Sequence, residues 1–371
     1  MRVGVLTGGG DCPGLNAVIR AVVRKAERHY GDDVVGFLDG WRGVLDDEWM
    51  PLEVDTMRGT LPRGGTILGT SRIQPYMFDD GCDRVRANLE RLGIDGMIVI
   101  GGEGTLSCAN QLQEDGVADL VGVPKTIDND IGATEMTFGF ETAVEIATEA
   151  IDRLHTTAES HDRVMVVEVM GRHVGHIATW AGIAGGATWT LIPEEPFDID
   201  EVASALRVRH GGNRWASIIV VAEGARPKPG TIDLPEPEVD EFGHQRLGGI
   251  GGVVARELER RTGFETRVTV LGHVQRGGTP TAFDRVLCSW FGIEAIDAIH
   301  DRAWGTMVAL QNAKVVRVPL EEAIGELKPI EPDLWAVARS FFYRPDAGHS
   351  GAESTSGSAG STTAKRGSSD R

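Results

Sequence analysis

Cysteine is scarce. The 371 residues hold four, at Cys12, Cys82, Cys108 and Cys288, with no CxxC pair and no histidine at ligand spacing. That argues against a disulfide framework or a local zinc motif and for reduced thiols in a cytoplasmic protein. Long apolar runs are missing too, so no membrane span is expected. Met1–Leu6 enters a strand-like pattern at once, without the look of a signal peptide. Basic residues are in the minority, 37 Lys and Arg against 55 Asp and Glu, for a net charge of -18. So acidic a surface repels nucleic acid and anionic lipid, and neither is expected as a partner. Small anions remain possible substrates only where Arg and Lys gather into basic islands. What the chain does have is 41% hydrophobic residues at a length that suits more than one domain.

Short apolar runs recur, each followed by a glycine-rich turn and an amphipathic stretch. Val3–Thr7 reads as a buried strand, 8–14 as a loop, and Leu15, Val18, Ile19, Val22, Val23 and Ala26 as one helical face. The unit returns with a strand over 96–100, a turn at Gly101–Gly104 and a helix over 105–114. A strand over 120–123 then leads into Pro124–Asp130. This alternation predicts an α/β fold with parallel sheets, whose ligands sit beyond the carboxyl ends of the strands. A second α/β region starts near Phe140, with strands over 164–169, 190–192 and 217–222. Residues 225–245 are rich in Pro, Asp and Glu and read as an exposed insertion. The Ser/Gly/Thr-rich tail has too little apolar surface to fold.

Three loops carry the chemistry. Gly8-Gly9-Gly10 precedes a helix, which suits an anion on backbone N–H groups but equally a tight strand–helix turn. Gly101-Gly102-Glu103-Gly104-Thr105 suits phosphate on the backbone with a metal ion near Glu103; the alternative is a plain helix capped by Thr105. Pro124-Lys125-Thr126-Ile127-Asp128-Asn129-Asp130 is the most informative. It packs two carboxylates, an amide, a hydroxyl and a lysine after a buried strand. A carboxylate there can take a proton from an attacking hydroxyl while cations hold a moving phosphoryl group. Met170-Gly171-Arg172, Glu223-Gly224 and Gly272–Gly278 add strand-end arginines beside glycines, and arginine forks bind phosphate in bidentate fashion.

Taken in order, Thr7–Asn16, Gly101–Thr105, Pro124–Asp130, Val167–Arg172 and Gly272–Gly278 resemble the motifs of the phosphofructokinases over roughly residues 1 to 340. NAD kinases and diacylglycerol kinases share a similar glycine turn, but lack the Thr126–Asp130 and Gly272–Gly278 signatures. The resemblance implies two Rossmann-like three-layer α/β domains with mostly parallel sheets. These would be a nucleotide-binding domain of residues 1–139 plus 275–324, a sugar-phosphate domain of 140–274 plus 325–344, and a disordered tail over 345–371. It implies transfer of the γ-phosphoryl group of ATP, with Mg2+, to the 1-hydroxyl of fructose 6-phosphate. It also implies a homodimer or homotetramer with shared sites.

Carried over residue by residue, Asp128 is the catalytic base, with Thr126 and Asp130 beside it, and Arg172 assists the transferring phosphoryl group. Gly10, Trp41, Arg72, Ile73, Gly102, Glu103, Gly104 and Thr105 match nucleotide-contacting positions, Trp41 as a flat face for adenine and Glu103 toward the metal. Thr126, Ile127, Asp128, Met170, Gly171, Arg172, Glu223, His273, Val274, Gln275 and Arg276 match the sugar-phosphate contacts. Arg163 and Arg267 match arginines that reach a neighbouring subunit's site.

Departures from the pattern bear on the donor and on regulation. Glu103 stands where Asp is usual in bacterial ATP users. Lys125 is the pyrophosphate users' residue, whereas Gly104 is the ATP users', since pyrophosphate users tend to carry Asp there. The rival readings are therefore a pyrophosphate-dependent phosphotransferase and, from another class, a non-catalytic regulatory homologue. Arg20 and Arg24 match two effector-site cations. Val54 and His155 replace arginines and Asn213-Arg214 replaces a lysine-rich stretch, so weakened effector control is expected.

Overall fold

The apolar runs become strands. In the computed structural model, which describes residues 1–212, 216–232 and 248–342, they form two sheets. The first takes β1 (Arg2–Thr7), β2 (Asp33–Phe37), β3 (Trp49–Leu52), β4 (Gly96–Gly101) and β5 (Leu120–Pro124). The chain then builds a second sheet from β6 (Val164–Val169), β7 (Trp189–Leu191), β8 (Ser217–Ala222) and β9 (Thr266–Val270). It returns to the first with β10 (Thr306–Gln311) and β11 (Lys314–Pro319). Strand order is β11-β10-β5-β4-β1-β2-β3 in one sheet and β7-β8-β6-β9 in the other. All pairings are parallel except those of the edge strands β3 and β11.

A parallel strand covered by helices on both faces has no solvent side, which is why these segments read as unbroken apolar runs. Side chains nonetheless alternate between two cores. Val3, Val5, Ile98 and Ile100 enter one, while Leu6, Met97 and Val99 enter the other. The first core also receives the helices Leu15–Lys25 and Ala282–His300, which cross so closely that a Cβ on Gly292 would lie 2.6 Å from the Val18 carbonyl oxygen.

Topology then fixes the site. From β1 the chain runs outward to β2 and β3, and β4 returns on the opposite flank of β1. Loops leaving β1 and β4 therefore diverge and open a crevice at their carboxyl ends, with the loop after β5 alongside.

Strand positions follow the sequence pattern to within one residue. The expected strand over 190–192 runs instead from Trp189 to Leu191, because its pairing with β8 starts at Trp189 opposite Ile219. The helix expected from Thr105 begins at Glu103. The tail, Asn213-Arg214 and residues 233–245 of the expected insertion lie outside the described residues. No helix among the described residues is long and apolar enough to cross a membrane.

Candidate active site

The loop after β1 lies against its neighbours with no side-chain volume to spare. Gly8 N–H donates to the Ile100 carbonyl (2.9 Å), Gly9 N–H to Ser71 (3.2 Å), and the Thr70 hydroxyl to the Gly9 carbonyl (2.5 Å). A Cβ on Gly8 would sit 2.6 Å from the Thr105 methyl, and one on Gly10 2.6 Å from the Arg276 guanidinium. The glycines thus serve close backbone approach, and Arg276 reaches across from the second sheet to donate to the Asp11 carbonyl (3.2 Å).

The turn after β4 is open. Gly102 is the residue before the helix Glu103–Glu114, no side chain caps it, and Glu103 and Gly104 are exposed. Thr105 is not the cap. It lies inside the first helical turn, 7% exposed, and its side chain is wedged against Gly8 and Gly101 as a spacer between the two turns. Gln74, from the segment carrying Arg72 and Ile73, donates to the Gly104 carbonyl (3.0 Å), so that segment borders the turn. Arg72 is exposed, and Ile73 is half-buried against the core. Among the described residues no cluster of three or more His, Cys, Asp or Glu could hold a metal unaided. A single exposed carboxylate, Glu103, at a glycine turn fits a magnesium ion that arrives mainly coordinated by phosphates.

The loop after β5 is the opposite: dense and stitched. Lys125 is 4% exposed and its Nζ donates to the Gly10 carbonyl (2.5 Å). Burial lowers its pKa. Asp128 N–H donates to the Thr126 hydroxyl (3.1 Å). The Thr137 hydroxyl donates to the Thr126 carbonyl (2.7 Å), and Thr137 N–H to Asn129 Oδ1 (2.9 Å). Asn129 has a φ of 53°, a left-handed conformation that asparagine tolerates. The Ile127 side chain is 1% exposed in the core, leaving its backbone as the part able to meet a ligand. Asp128 Oδ1 is buried without a hydrogen-bond partner. Burial pushes this carboxyl up to about 7; Asp130 and Glu223 add to the rise, and Arg276 and Arg172 oppose it. A carboxylate held near neutrality beside two arginines has the properties of a general base.

The second sheet aims its strand ends at that carboxylate. After β6, Gly171 takes a φ of 134° and turns the chain into Arg172. A Cβ on Gly224, after β8, would meet the Arg172 carbonyl at 2.0 Å, so Glu223 and Arg172 are locked side by side. Burial raises the Glu223 pKa, with Glu168 adding to it and Arg172 and Arg276 opposing. After β9, a short 3-10 turn, Gly272–Arg276, carries His273, Val274, Gln275 and Arg276. His273 and Val274 are exposed. Gln275 is buried, and its Oε1 accepts from Met170 N–H (3.0 Å), so it supports the Met170 turn from behind.

Two groups of expected site residues fall elsewhere. Trp41 offers no flat face to a base. It is 2% exposed, packed with Leu6, Phe37 and Val85, because it opens the helix Trp41–Asp46 on that helix's core side. Arg163 and Arg267 lie at the amino ends of β6 and β9, away from the strand ends that hold Met170 and Arg276. Both pair with Glu265, Arg163 at 2.8 Å. Val268 and Val270, beside Arg267 on the edge strand β9, expose their side chains, as do Val274 and, on the next helix, Phe283, Val286 and Trp290. At the effector-site positions, burial lowers the Arg20 pKa, with Arg24 adding to the effect, Val54 is buried, and His155 Nε2 donates to the Gly185 carbonyl (2.6 Å).

Sequence reading missed the supports. Buried Asp284 accepts from Gly139 N–H (2.9 Å), Thr142 N–H (2.9 Å) and the Thr142 hydroxyl (2.5 Å), joining the start of the helix Phe140–His161 to that of Ala282–His300. Glu168, inside β6, accepts from Gly249 N–H (2.9 Å) and Gly251 N–H (2.7 Å). A carboxylate inside an apolar strand was the available signal for the second; nothing local marks the first.

Comparison with known proteins agrees with the motif order. A family model described as Phosphofructokinase matches residues 2–299. The chain is 56% identical over 342 residues to a pyrophosphate–fructose 6-phosphate 1-phosphotransferase of Streptomyces coelicolor, covering 92% of this chain and all of that one. It is 54% identical over 343 residues to an ATP-dependent 6-phosphofructokinase of Corynebacterium efficiens, covering 92% and 99%. The structure of phosphofructokinase from Saccharomyces cerevisiae superposes with a TM-score of 0.77 at 32% identity, over 92% of this chain and 46% of the yeast chain.

Proposed function

The chain belongs to the phosphofructokinase family, and from that premise we propose that it transfers a phosphoryl group to the 1-hydroxyl of fructose 6-phosphate, with ATP as the donor. Asp128 carries the reading: a buried carboxylate with one oxygen unpartnered, pushed up to about 7, where loops of both sheets converge. Ionised, it accepts the proton of the attacking hydroxyl as the new P–O bond forms. Arg172 and Arg276 stabilise the charge on the moving phosphoryl group, and the backbone N–H groups of the turn after β4, over Gly102–Gly104, receive the donor's phosphates. Magnesium, held by Glu103 and those phosphates, supplies charge neutralisation when bound.

Gly104 supports ATP as the donor. A Cβ there would meet only Gln74 Nε2, at 3.7 Å, so the turn leaves room and no negative charge where the α-phosphate would lie. Pyrophosphate is the second reading. Lys125 favours it, being fixed at the base of the turns, as do relatives of both names at similar identity. The test offers each donor separately with fructose 6-phosphate. Turnover with ATP is expected; turnover with pyrophosphate alone overturns the donor and leaves the acceptor standing.

We further propose a homodimer or larger assembly in the cytoplasm. Arg163 and Arg267 lie at the amino ends of β6 and β9, and the exposed valines that follow Arg267 on the edge strand β9 suit a second copy.

A further inference from the structure

Lys328 lies in the segment after the helix Leu320–Ile324, about two hundred positions beyond the loop it touches. Its ammonium donates to Asn129 Oδ1 (2.9 Å), the Thr134 carbonyl (2.8 Å) and the Glu135 carbonyl (2.8 Å), so all three donors of the ammonium are used on one loop. Its main-chain N–H donates to the Asp130 carbonyl (2.9 Å). Its own carbonyl faces His176 Nε2 at 3.0 Å, and since a carbonyl can only accept, Nε2 carries the proton. Burial brings the Lys328 pKa down to about 8 against Asp130, Glu331 and Glu135, which hold it up. The segment is pinned again two residues on, where Ile330 N–H (3.3 Å) and Gly175 N–H (3.0 Å) share Glu194 Oε1.

We propose that Lys328 is a positioning residue for the phosphoryl-transfer step, fixing the Asn129–Glu135 loop and through it the direction of the Asp128 carboxylate. The inference rests on the reading of Asp128 as the base. Asn129, directly after Asp128, is left-handed, and its side-chain oxygen accepts from both Lys328 and Thr137 N–H. A left-handed residue sets a sharp change of chain direction, so whatever fixes Asn129 also fixes the exit angle of Asp128. With Lys328 absent, three acceptors of this loop lose their common donor, and Asn129 is left with Thr137 and the longer bond from its Nδ2 to the Glu135 carbonyl (3.4 Å) as ties to the loop's far side. The same residue links the loop to His176 at the start of the helix His176–Ala184, which follows the Arg172 turn. One lysine thus connects the base of the first sheet to the phosphate-binding arm of the second.

The test pairs Lys328→Met, which keeps the stem and removes the donors, with Lys328→Arg, which keeps a cation. In Lys328→Met, kcat for fructose 6-phosphate phosphorylation should fall about 10²-fold, the cost expected of a misplaced catalytic group. The half-saturation concentrations for sugar phosphate and donor should stay near the unmodified values, and Lys328→Arg should restore most of the rate. Amide hydrogen exchange, read on the same proteins, should quicken across residues 129–137 and not in β4 or β6. An unchanged kcat in Lys328→Met overturns the proposal, and so does faster exchange spread evenly over the chain. If the unmodified protein fails to phosphorylate fructose 6-phosphate, the functional reading fails by itself. Exchange then decides for Lys328: quickening confined to 129–137 supports the positioning, and unchanged loop exchange overturns it.

Discussion

The loops that leave β4 and β5 start from neighbouring strands and are built in opposite ways. After β4 the chain is stripped: Gly102 and Gly104 flank an exposed Glu103, and no side chain caps the helix. After β5 it is crowded: Lys125, Thr126, Asn129 and Thr137 bond to one another or to adjacent backbone, and Lys328 adds four more bonds from outside. On the proposed function, the stripped turn suits a ligand that brings its own atoms and charges, and the crowded loop suits a carboxylate held in one orientation at a cost in buried charge.

Removing the held group should have the largest effect. Asp128→Asn keeps the shape and loses the base, so kcat should drop by about 10²–10⁴-fold with either donor. A near-normal kcat erases the contrast between the loops. The same substitution should raise the thermal midpoint above pH 7. The folded-state pKa of Asp128 lies above its unfolded value, so its ionisation costs stability as pH rises through about 7, and Asn removes that cost.

Filling the stripped turn comes next. Gly104→Asp should abolish turnover with ATP while leaving the direct binding of fructose 6-phosphate unchanged, because a carboxylate then stands against the α-phosphate. Lys125→Gly should keep part of the ATP activity. ATP turnover that survives Gly104→Asp shows that the emptiness of the turn is not what admits the nucleotide.

Arg267→Ala tests whether the crowded loop is completed from outside the chain. A lost charge-assisted bond to phosphate, about 1.5–3 kcal/mol, should raise the fructose 6-phosphate half-saturation by about 10- to 150-fold. Mixed oligomers of Arg267→Ala and Asp128→Asn chains should regain some activity, since one kind of shared site is then intact. A fully active monomer at assay concentration contradicts the shared site.

The mildest probe is pH. If Asp128 must be ionised to act, kcat/KM should fall as pH drops below about 7, by about tenfold per unit. A profile flat down to pH 5 removes Asp128 from the role.

The amino-acid sequence determined the parts whose cause is local. Apolar runs ending in glycine turns specify strand–loop–helix units, and each run became a strand within a residue of its expected ends. The loop chemistry of Gly8–Gly10, Gly101–Thr105 and Pro124–Asp130 was legible for the same reason, since its members are neighbours in the chain. Tertiary structure decided whatever depends on distant partners. Trp41 read as a free aromatic face and is a core residue, because the direction of a six-residue helix against β2 is not written in its own sequence. Gln275 read as a ligand contact, and only the fold shows that its Oε1 braces Met170. Lys328 looked like any loop lysine, and Asp284 like any helical aspartate, until folding brought each to backbone groups more than a hundred residues away. A solvated polar side chain and a buried, fully bonded one have the same local sequence. What separates them is desolvation, and only packing settles that.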